Sequence, residues 1–511
     1  MRSFPNQLVM VHSAENLSGL GTTENSRARL PPEIIAFFMK EGGHSLILRG
    51  GAGTGKTTFA LQIIEELSAI ERSYYLSTRV SDHSLFSQFP WLKEKFQRGE
   101  TSRFTISSNR TLEAKDQKEK QLGLTELKGI KSLVGKEAKI SLEIGRDLRE
   151  LETIYKIVET NEKSKQLIVI DSIDALAEKY GETCAKIILT IQSDLVEGYG
   201  ANVLFVLESA DPQLDYLGDG VVLLKSLEYQ RRRLREIEIM KLRGCEIQQM
   251  RYIFTLRGGR IQSFGRTSDV DISLWKGWSP IPDTGERVSC GIEDIDHILG
   301  GGLEKGSIVL LELGHAIPTS VSTAIENSMV ANFVAQGRGV IWVPMRKASA
   351  ENLRNRMVGI VSEGDFERNV RIPEKAIQIG TAAKYVLPIE GSTAYDDFNW
   401  QNLAFALQDS HQPYLTLMGF DTMESIYGIQ VMDQLADYLA SIRRNKGIFV
   451  GLAPPSADST QRIADLATIH LKIDRVGGTV ILYGEKPFTE CNAFTFAEKK
   501  VGGHISLVPI L

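Results

Sequence analysis

Gly50-Gly51-Ala52-Gly53-Thr54-Gly55-Lys56-Thr57 is a complete G-x-x-x-x-G-K-[ST] phosphate-binding loop, and its flanks are those the loop requires. The apolar run Ser45-Leu46-Ile47-Leu48 leads in as a strand, and Phe59, Leu61, Ile63, Ile64 and Leu67 follow as a helix. Four glycines let backbone amides turn inward around phosphate oxygens, and a helix starting near Lys56 adds the positive end of its dipole. The residue types divide the work: Lys56 reaches the β and γ phosphates and Thr57 ligates Mg²⁺. Gly50, Gly51, Ala52, Gly53, Thr54 and Gly55, with Thr58 in the first helical turn, complete the cradle. The expected ligands are ATP and Mg²⁺.

Outward from the loop the chain reads as repeated strand and helix. Tyr74 to Ser77, Leu167 to Ile170 and Val203 to Leu207 are short apolar runs separated by helical stretches, the mark of a mostly parallel α/β sheet. At 511 residues the chain exceeds one ordinary core. Residues 1–29 have no periodicity and read as a flexible leader, 30–270 as the loop-bearing domain, 271–284 as a linker and 285–511 as a second domain. Within the first, 102–165 is a lysine- and glutamate-rich insertion. Its helix around Asp147-Leu148-Arg149-Glu150-Leu151-Glu152-Thr153-Ile154-Tyr155 reads as exposed, either a solvated face or a partner-binding element.

Beyond Ser279-Pro280-Ile281-Pro282-Asp283-Thr284-Gly285 the pattern starts over. Lys305-Gly306-Ser307 leads into Ile308-Val309-Leu310-Leu311 as Gly43-His44-Ser45 leads into the first loop. Aligned without a gap, Gly55 falls on Ile317, Lys56 on Pro318 and Thr57 on Thr319, and proline cannot donate to a phosphate. The run Leu415-Thr416-Leu417-Met418-Gly419-Phe420-Asp421 repeats the shape of Leu167-Ile168-Val169-Ile170-Asp171. The expectation is a duplication whose second phosphate loop has degenerated.

Asp171 ends its apolar strand and stands as the carboxylate that holds Mg²⁺ beside Thr57. Ser172 and Asp174 read as helix-capping residues, Asp174 foremost, and Glu208 as a residue near the γ-phosphate. Composition excludes little else. Net charge is only -5 with 24% charged residues, so no global basic field argues for nucleic acid. Cys184, Cys245, Cys290 and Cys491 show no metal-ligand spacing and read as buried fillers in a reducing, cytoplasmic compartment. No membrane-spanning run is present. The run Tyr229-Gln230-Arg231-Arg232-Arg233-Leu234-Arg235 is either solvated or a patch for nucleic acid or an acidic partner, with no aromatic interleaving to favour single strands.

Leu167-Ile168-Val169-Ile170-Asp171-Ser172-Ile173-Asp174-Ala175-Leu176 resembles the RecA superfamily and, within it, the KaiC-like ATPases. Arg287-Val288-Ser289-Cys290-Gly291-Ile292-Glu293-Asp294-Ile295-Asp296 with Leu299-Gly300-Gly301-Gly302-Leu303-Glu304-Lys305-Gly306-Ser307 is similar to the lead-in of a KaiC-type domain. The fold this implies is α/β: two tandem RecA/KaiC-like domains with central, mostly parallel sheets flanked by helices, the second degenerate at its phosphate loop. Arg235-Glu236-Ile237-Glu238-Ile239-Met240-Lys241-Leu242-Arg243-Gly244 resembles the KaiC segment whose lysine and arginine reach a neighbouring subunit's nucleotide. By that resemblance Lys241 and Arg243 act in trans, and the protein is a homo-oligomer, a dimer or a hexameric ring.

More narrowly, Gly43 to Leu48, Tyr75-Leu76-Ser77-Thr78-Arg79-Val80-Ser81-Asp82 and Arg231 to Arg235 resemble the archaeal gas-vesicle regulatory protein D family. The resemblance implies a P-loop repressor of gas-vesicle genes that needs its loop and an arginine-rich region. It implies a leucine-zipper-like transcription activator as protein partner. Of a second arginine-rich region only Arg443-Arg444 is a candidate. KaiC-like ATPases carry a glutamate pair where this chain has Ser77-Thr78-Arg79-Val80, and general-base assistance contributes roughly 10² to 10⁴ in rate. Hydrolysis is therefore expected to be slow, and Arg79, with Arg346 as its counterpart, is either a phosphate contact or a surface arginine. A DNA-associated RecA-like ATPase and a KaiC-like autokinase are the alternatives.

Overall fold

In the computed structural model, which describes residues 30–67, 72–78, 82–92, 104–108, 149–160, 165–208, 212–268, 278–346, 348–375, 383–496 and 505–511, the apolar runs become the central strands of two large sheets. The first contains β1 (Ser45–Gly50), β2 (Arg72–Ser77), β3 (Phe104–Ser108), β4 (Gln166–Asp171), β5 (Asn202–Leu207), β6 (Gly220–Tyr229), β7 (Arg232–Leu242), β8 (Arg251–Thr255) and β9 (Gln262–Phe264). Their order is β3-β2-β4-β5-β1-β6-β7-β8-β9. All neighbours up to β6 are parallel, and β7 to β9 close the sheet with antiparallel pairs.

Runs that are apolar at every position follow from a sheet covered on both faces. Leu46, Leu48, Leu167, Val169, Leu204 and Val206 pack on one side with the helix Lys56–Leu67. Ile47, Ile168, Ile170, Val203 and Phe205 alternate to the other side, against the helices Arg149–Thr160, Ile173–Tyr180 and Cys184–Ile191.

The second half has a small two-stranded antiparallel sheet of β10 (Arg287–Val288) and β11 (Leu303–Glu304), then β12 (Ile308–Leu313), β13 (Arg338–Val343), β14 (Val370–Lys375), β15 (Val386–Ile389), β16 (His411–Gly419), β17 (Ile448–Ala453), β18 (Ile469–Val476), β19 (Thr479–Lys486), β20 (Asn492–Phe496) and β21 (Ile505–Pro509). Its order, β15-β14-β13-β16-β17-β12-β18-β19-β20-β21, matches the first sheet strand for strand when β12 is laid on β1, with β15 added. The expected tandem architecture is present.

Several sequence expectations need correction. The helix around Asp147 to Tyr155 is Arg149–Thr160, and it is not a free solvated face, because Leu151, Ile154 and Val158 are core residues against the first sheet. β3 likewise belongs to that sheet, so both ends of 102–165 are fold elements; 109–148 lies outside the described residues, as does the 1–29 leader. The end of the 271–284 linker is docked on the second half: Asn332 accepts from the Ile281 amide at 2.7 Å, and Asp283 pairs with Arg338 at 2.5 Å. Asp421 does not end its strand. β16 stops at Gly419, and Asp421 lies in the first turn of the helix Phe420–Tyr427. Of the cysteines, Cys290 and Cys491 are buried while Cys184 and Cys245 are partly exposed.

The arginine run Arg231 to Arg235 is solvated only in part: Arg231 and Arg233 are exposed, whereas Arg232 and Arg235 are buried. Leu234, Ile253 and Phe264 of the first half share one core with Ile481, Tyr483, Cys491, Ala493 and Ile510 of the second. Arg232 is buried inside this joint. It donates through Nε to the Thr489 carbonyl at 2.6 Å and lies over the rings of Phe488 and Tyr483, 4.0 and 4.5 Å from their centroids. Arg231 and Arg232 both pair with Glu485. Arg231 and Arg232, with Arg235 through the Leu511 carbonyl, thus bind the two halves together.

Candidate nucleotide site

β1 ends at Gly50 and the helix begins at Lys56, leaving five residues for the loop. Gly53 and Gly55 have φ of 72° and 102°, values that side chains disfavour. A Cβ on Gly50 would stand 2.5 Å from the Leu224 carbonyl oxygen, so the close approach of β6 also demands glycine there. Thr54 Oγ1 closes the turn by donating to the Gly51 carbonyl at 2.9 Å. Gly51, Ala52 and Gly53 form an exposed crest, and Thr58 is buried beneath it. Lys56 Nζ lies across the loop, donating to the carbonyls of Gly50 at 2.7 Å and Gly51 at 2.9 Å.

Strand alternation explains how Asp171 reaches this loop from 114 residues away. Leu167 and Val169 face the helix Lys56–Leu67, so Asp171, two residues on, projects to the same side. Thr57 Oγ1 donates to Asp171 Oδ2 at 2.8 Å, and Tyr75 on neighbouring β2 donates its hydroxyl to the same oxygen at 2.8 Å. Burial raises the Asp171 pKa, opposed by the hydrogen bonds from Tyr75 and Thr57 and by the charge of Lys56. Sequence reasoning missed Tyr75, since a tyrosine between Tyr74 and Leu76 reads as core. Thr78 is a second positioning residue, its hydroxyl accepting from the Ser172 amide at 2.8 Å.

A hydroxyl and one carboxylate beside a phosphate cradle are hard oxygen donors suited to Mg²⁺, which takes few protein ligands and completes its shell with phosphate oxygens and water. Among the described residues no cluster of three or more His, Cys, Asp or Glu offers a preformed metal cage. The residues present therefore fit Mg·ATP. Bound there, the metal would neutralise charge between the phosphates.

The remaining candidates fall into three groups. Ser172, not Asp174, caps the helix Ile173–Tyr180, accepting from the Ala175 amide at 3.5 Å. Asp174 instead accepts from the Glu208 amide at 2.7 Å, while Ser172 Oγ donates to the Glu208 carboxylate at 3.3 Å, which places Glu208 beside the Asp171 strand end. Lys241 and Arg243 stand away from the loop of their own chain. Leu242 pairs with Gly220, which pairs with Leu46, four residues before Gly50, roughly 13 Å down the strand. Lys241 donates to the Asp215 carbonyl at 3.1 Å, and Arg243, its side chain 66% exposed, pairs with Asp219 at 3.1 Å. Arg79 lies outside the described residues.

In the second half the helix Thr319–Ala335 starts after Pro318, so Thr319 occupies the helix-opening place of Thr57. Its surroundings differ. Arg346, with φ 50°, comes between the two polar groups: its guanidinium hydrogen-bonds Thr319 Oγ1 and its amide donates to Asp421 Oδ2 at 2.7 Å. Just beneath, the buried carboxyl of Glu326 accepts from the Met345 amide at 3.0 Å and Trp342 Nε1 at 3.3 Å. Burial pushes it up to about 7. Its folded value lies above the unfolded one near 4.3, so the stability it contributes is full below about pH 4 and lost as pH rises through about 7. We expect this group to remove about 3 kcal/mol of unfolding free energy between pH 4 and 8. Denaturant titration at the two pH values should show a flatter profile in Glu326→Gln; an unchanged slope would assign the pH dependence elsewhere.

No helix among the described residues is long and apolar enough to cross a membrane. Fold and site together define a KaiC-like P-loop protein. Within that class the resemblance to the GvpD family extends along both halves. The GvpD gas vesicle protein P-loop domain matches residues 34–240, and GvpD basic region 2 matches 277–377. Protein GvpD2 of Halobacterium salinarum is 25% identical over 491 residues, covering 90% of this chain and 92% of that protein. Protein GvpD1 of the same organism is 24% identical over 546 residues, covering 93% and 96%. The circadian clock oscillator protein KaiC of Parathermosynechococcus lividus is 29% identical over 158 residues, 30% of this chain and 26% of that one. The second basic region therefore falls on 277–377, which includes Arg338, Arg346, Arg354 and Arg356, rather than on Arg443-Arg444.

Proposed function

We propose that the chain is an ATP-dependent regulatory switch that binds Mg·ATP in its first half, hydrolyses it slowly and acts on a protein partner. The observation that carries this reading is the contact of Thr57 and Asp171 beside an intact, exposed phosphate loop. Lys56 and the amides of Gly50 to Thr58 hold the phosphates, and Thr57 and Asp171 hold the metal. Lys241 and Arg243, remote from their own loop, complete the site of a neighbour in a homo-oligomer. The second half, with Pro318 in the lysine position and Arg346 between Thr319 and Asp421, is a degenerate copy that serves as scaffold. Residues 30–270 and 285–511 are the two domains of this scheme. Likeness to GvpD supports control of gas-vesicle gene expression as the setting we propose, with a transcription activator as partner and a cytoplasmic location.

Sizing the purified protein with and without Mg·ATP while following phosphate release tests the switch. Nucleotide-dependent assembly with slow release is the expected result. Fast release stimulated by DNA, with affinity falling steeply in salt, would overturn it in favour of a motor on nucleic acid.

A further inference from the structure

We propose that Arg235 is a positioning residue of the phosphate loop, through which the second half sets the nucleotide affinity of the first. Arg235 sits in β7, one strand beyond the partner of β1, and is 8% exposed. Its Nη1 donates to the Gly53 carbonyl at the loop crest at 3.0 Å, and its Nε donates to the Leu511 carbonyl at 2.7 Å. The same end of the chain is fastened a second time. Thr255 Oγ1 donates to the Pro509 carbonyl at 2.8 Å and accepts from the Leu511 amide at 3.3 Å. The next residue, Leu256, packs so closely on Gly55 that a Cβ there would lie 3.2 Å from its methyl carbon. Of these two contacts on the loop, that at Gly53 comes from Arg235, held by Leu511, and that at Gly55 from Leu256, whose neighbour Thr255 is held by Pro509 and Leu511.

Peptide geometry turns this into an effect on binding. In a planar trans peptide the carbonyl of Gly53 and the amide of Thr54 point to opposite sides, so anchoring the carbonyl on Arg235 also fixes the direction of the next amide. A phosphate cradle depends on such directions, and a loop that must be ordered on binding binds more weakly. The guanidinium suits the task because its rigid fork serves two acceptors at a fixed angle, which a lysine cannot do. Burial together with nearby Arg233 holds the group below its usual pKa, so its place in the joint carries a desolvation cost. An apolar residue would fill the same joint without desolvating a charge.

The inference rests on the reading that Gly50 to Thr57 binds Mg·ATP. It is tested on the full chain by titrating a fluorescent ATP analogue with Mg²⁺ into the wild type, Arg235→Met, Arg235→Lys and Arg232→Met. Arg232→Met loosens the same joint without touching the loop. We expect about a tenfold rise in Kd for Arg235→Met, a smaller rise for Arg235→Lys, and at most about a twofold change for Arg232→Met. Coupling is reciprocal, so nucleotide should slow hydrogen exchange at Ile505–Pro509 in the wild type and not in Arg235→Lys, which keeps the charge and stem should the methionine variant fail to fold. Equal Kd changes at 232 and 235, or wild-type affinity and protection in Arg235→Lys, overturn the proposal while leaving nucleotide binding intact. A wild type that does not bind the analogue overturns the nucleotide reading and this one with it.

Discussion

Lys56→Ala should weaken Mg·ATP binding by about ten- to a hundredfold or more. The ammonium is already positioned over the loop, 2.7 Å from the Gly50 carbonyl and 2.9 Å from that of Gly51. A hydrogen bond to a charged group contributes roughly 1.5 to 3 kcal/mol, and each 1.4 kcal/mol is a factor of ten in Kd. Removing the charge also takes away one of the influences that favour ionised Asp171, so the metal is held less well as the phosphates are released. Titration of a fluorescent ATP analogue reads the effect directly. Unchanged affinity would sink the site.

Arg243→Ala is expected to act on turnover instead. An arginine supplied from a neighbouring subunit contributes about 10³ to 10⁵ in rate, because it meets charge that develops only as the phosphoryl group leaves. Within its own chain Arg243 pairs with Asp219, and Asp219 also accepts from the Ser45 amide and hydroxyl and from Gln192. Losing one exposed partner should cost the fold less than about 1 kcal/mol. Single-turnover phosphate release should therefore fall by about a thousandfold while Kd moves only a few fold. Equal losses in binding and turnover would place Arg243 outside the neighbour's site.

What the sequence disclosed is what local chemistry writes into adjacent residues. The loop, its strand and helix, and Asp171 at the end of β4 are all patterns within a few positions, and alternation alone aims Asp171 at Thr57. The duplication was legible for the same reason, as strand runs that recur in order. Partners far apart in sequence were not. Arg232 reads as one of three consecutive charges, and nothing nearby reveals that Phe488 and Glu485 enclose it. Tyr75 hides among apolar neighbours, since its hydroxyl shows its use only when β2 lies beside β4. One signal was present and outweighed: Leu151, Ile154 and Val158 keep helical spacing within a charged stretch, enough for a core face.

Arg346 has a consequence for the shape of the protein's response. A tethered guanidinium beside Thr319 is a monovalent charge that cannot diffuse away, whereas the metal that Thr57 and Asp171 are suited to hold exchanges with solution. On the reading proposed above, one half of each chain reports ATP and the other half is blind to it. A single chain then answers rising ATP along a simple saturation curve, with no second internal site to sharpen it. Any threshold in the response has to arise between subunits, so the steepness of the curve sets a lower bound on how many of them act together.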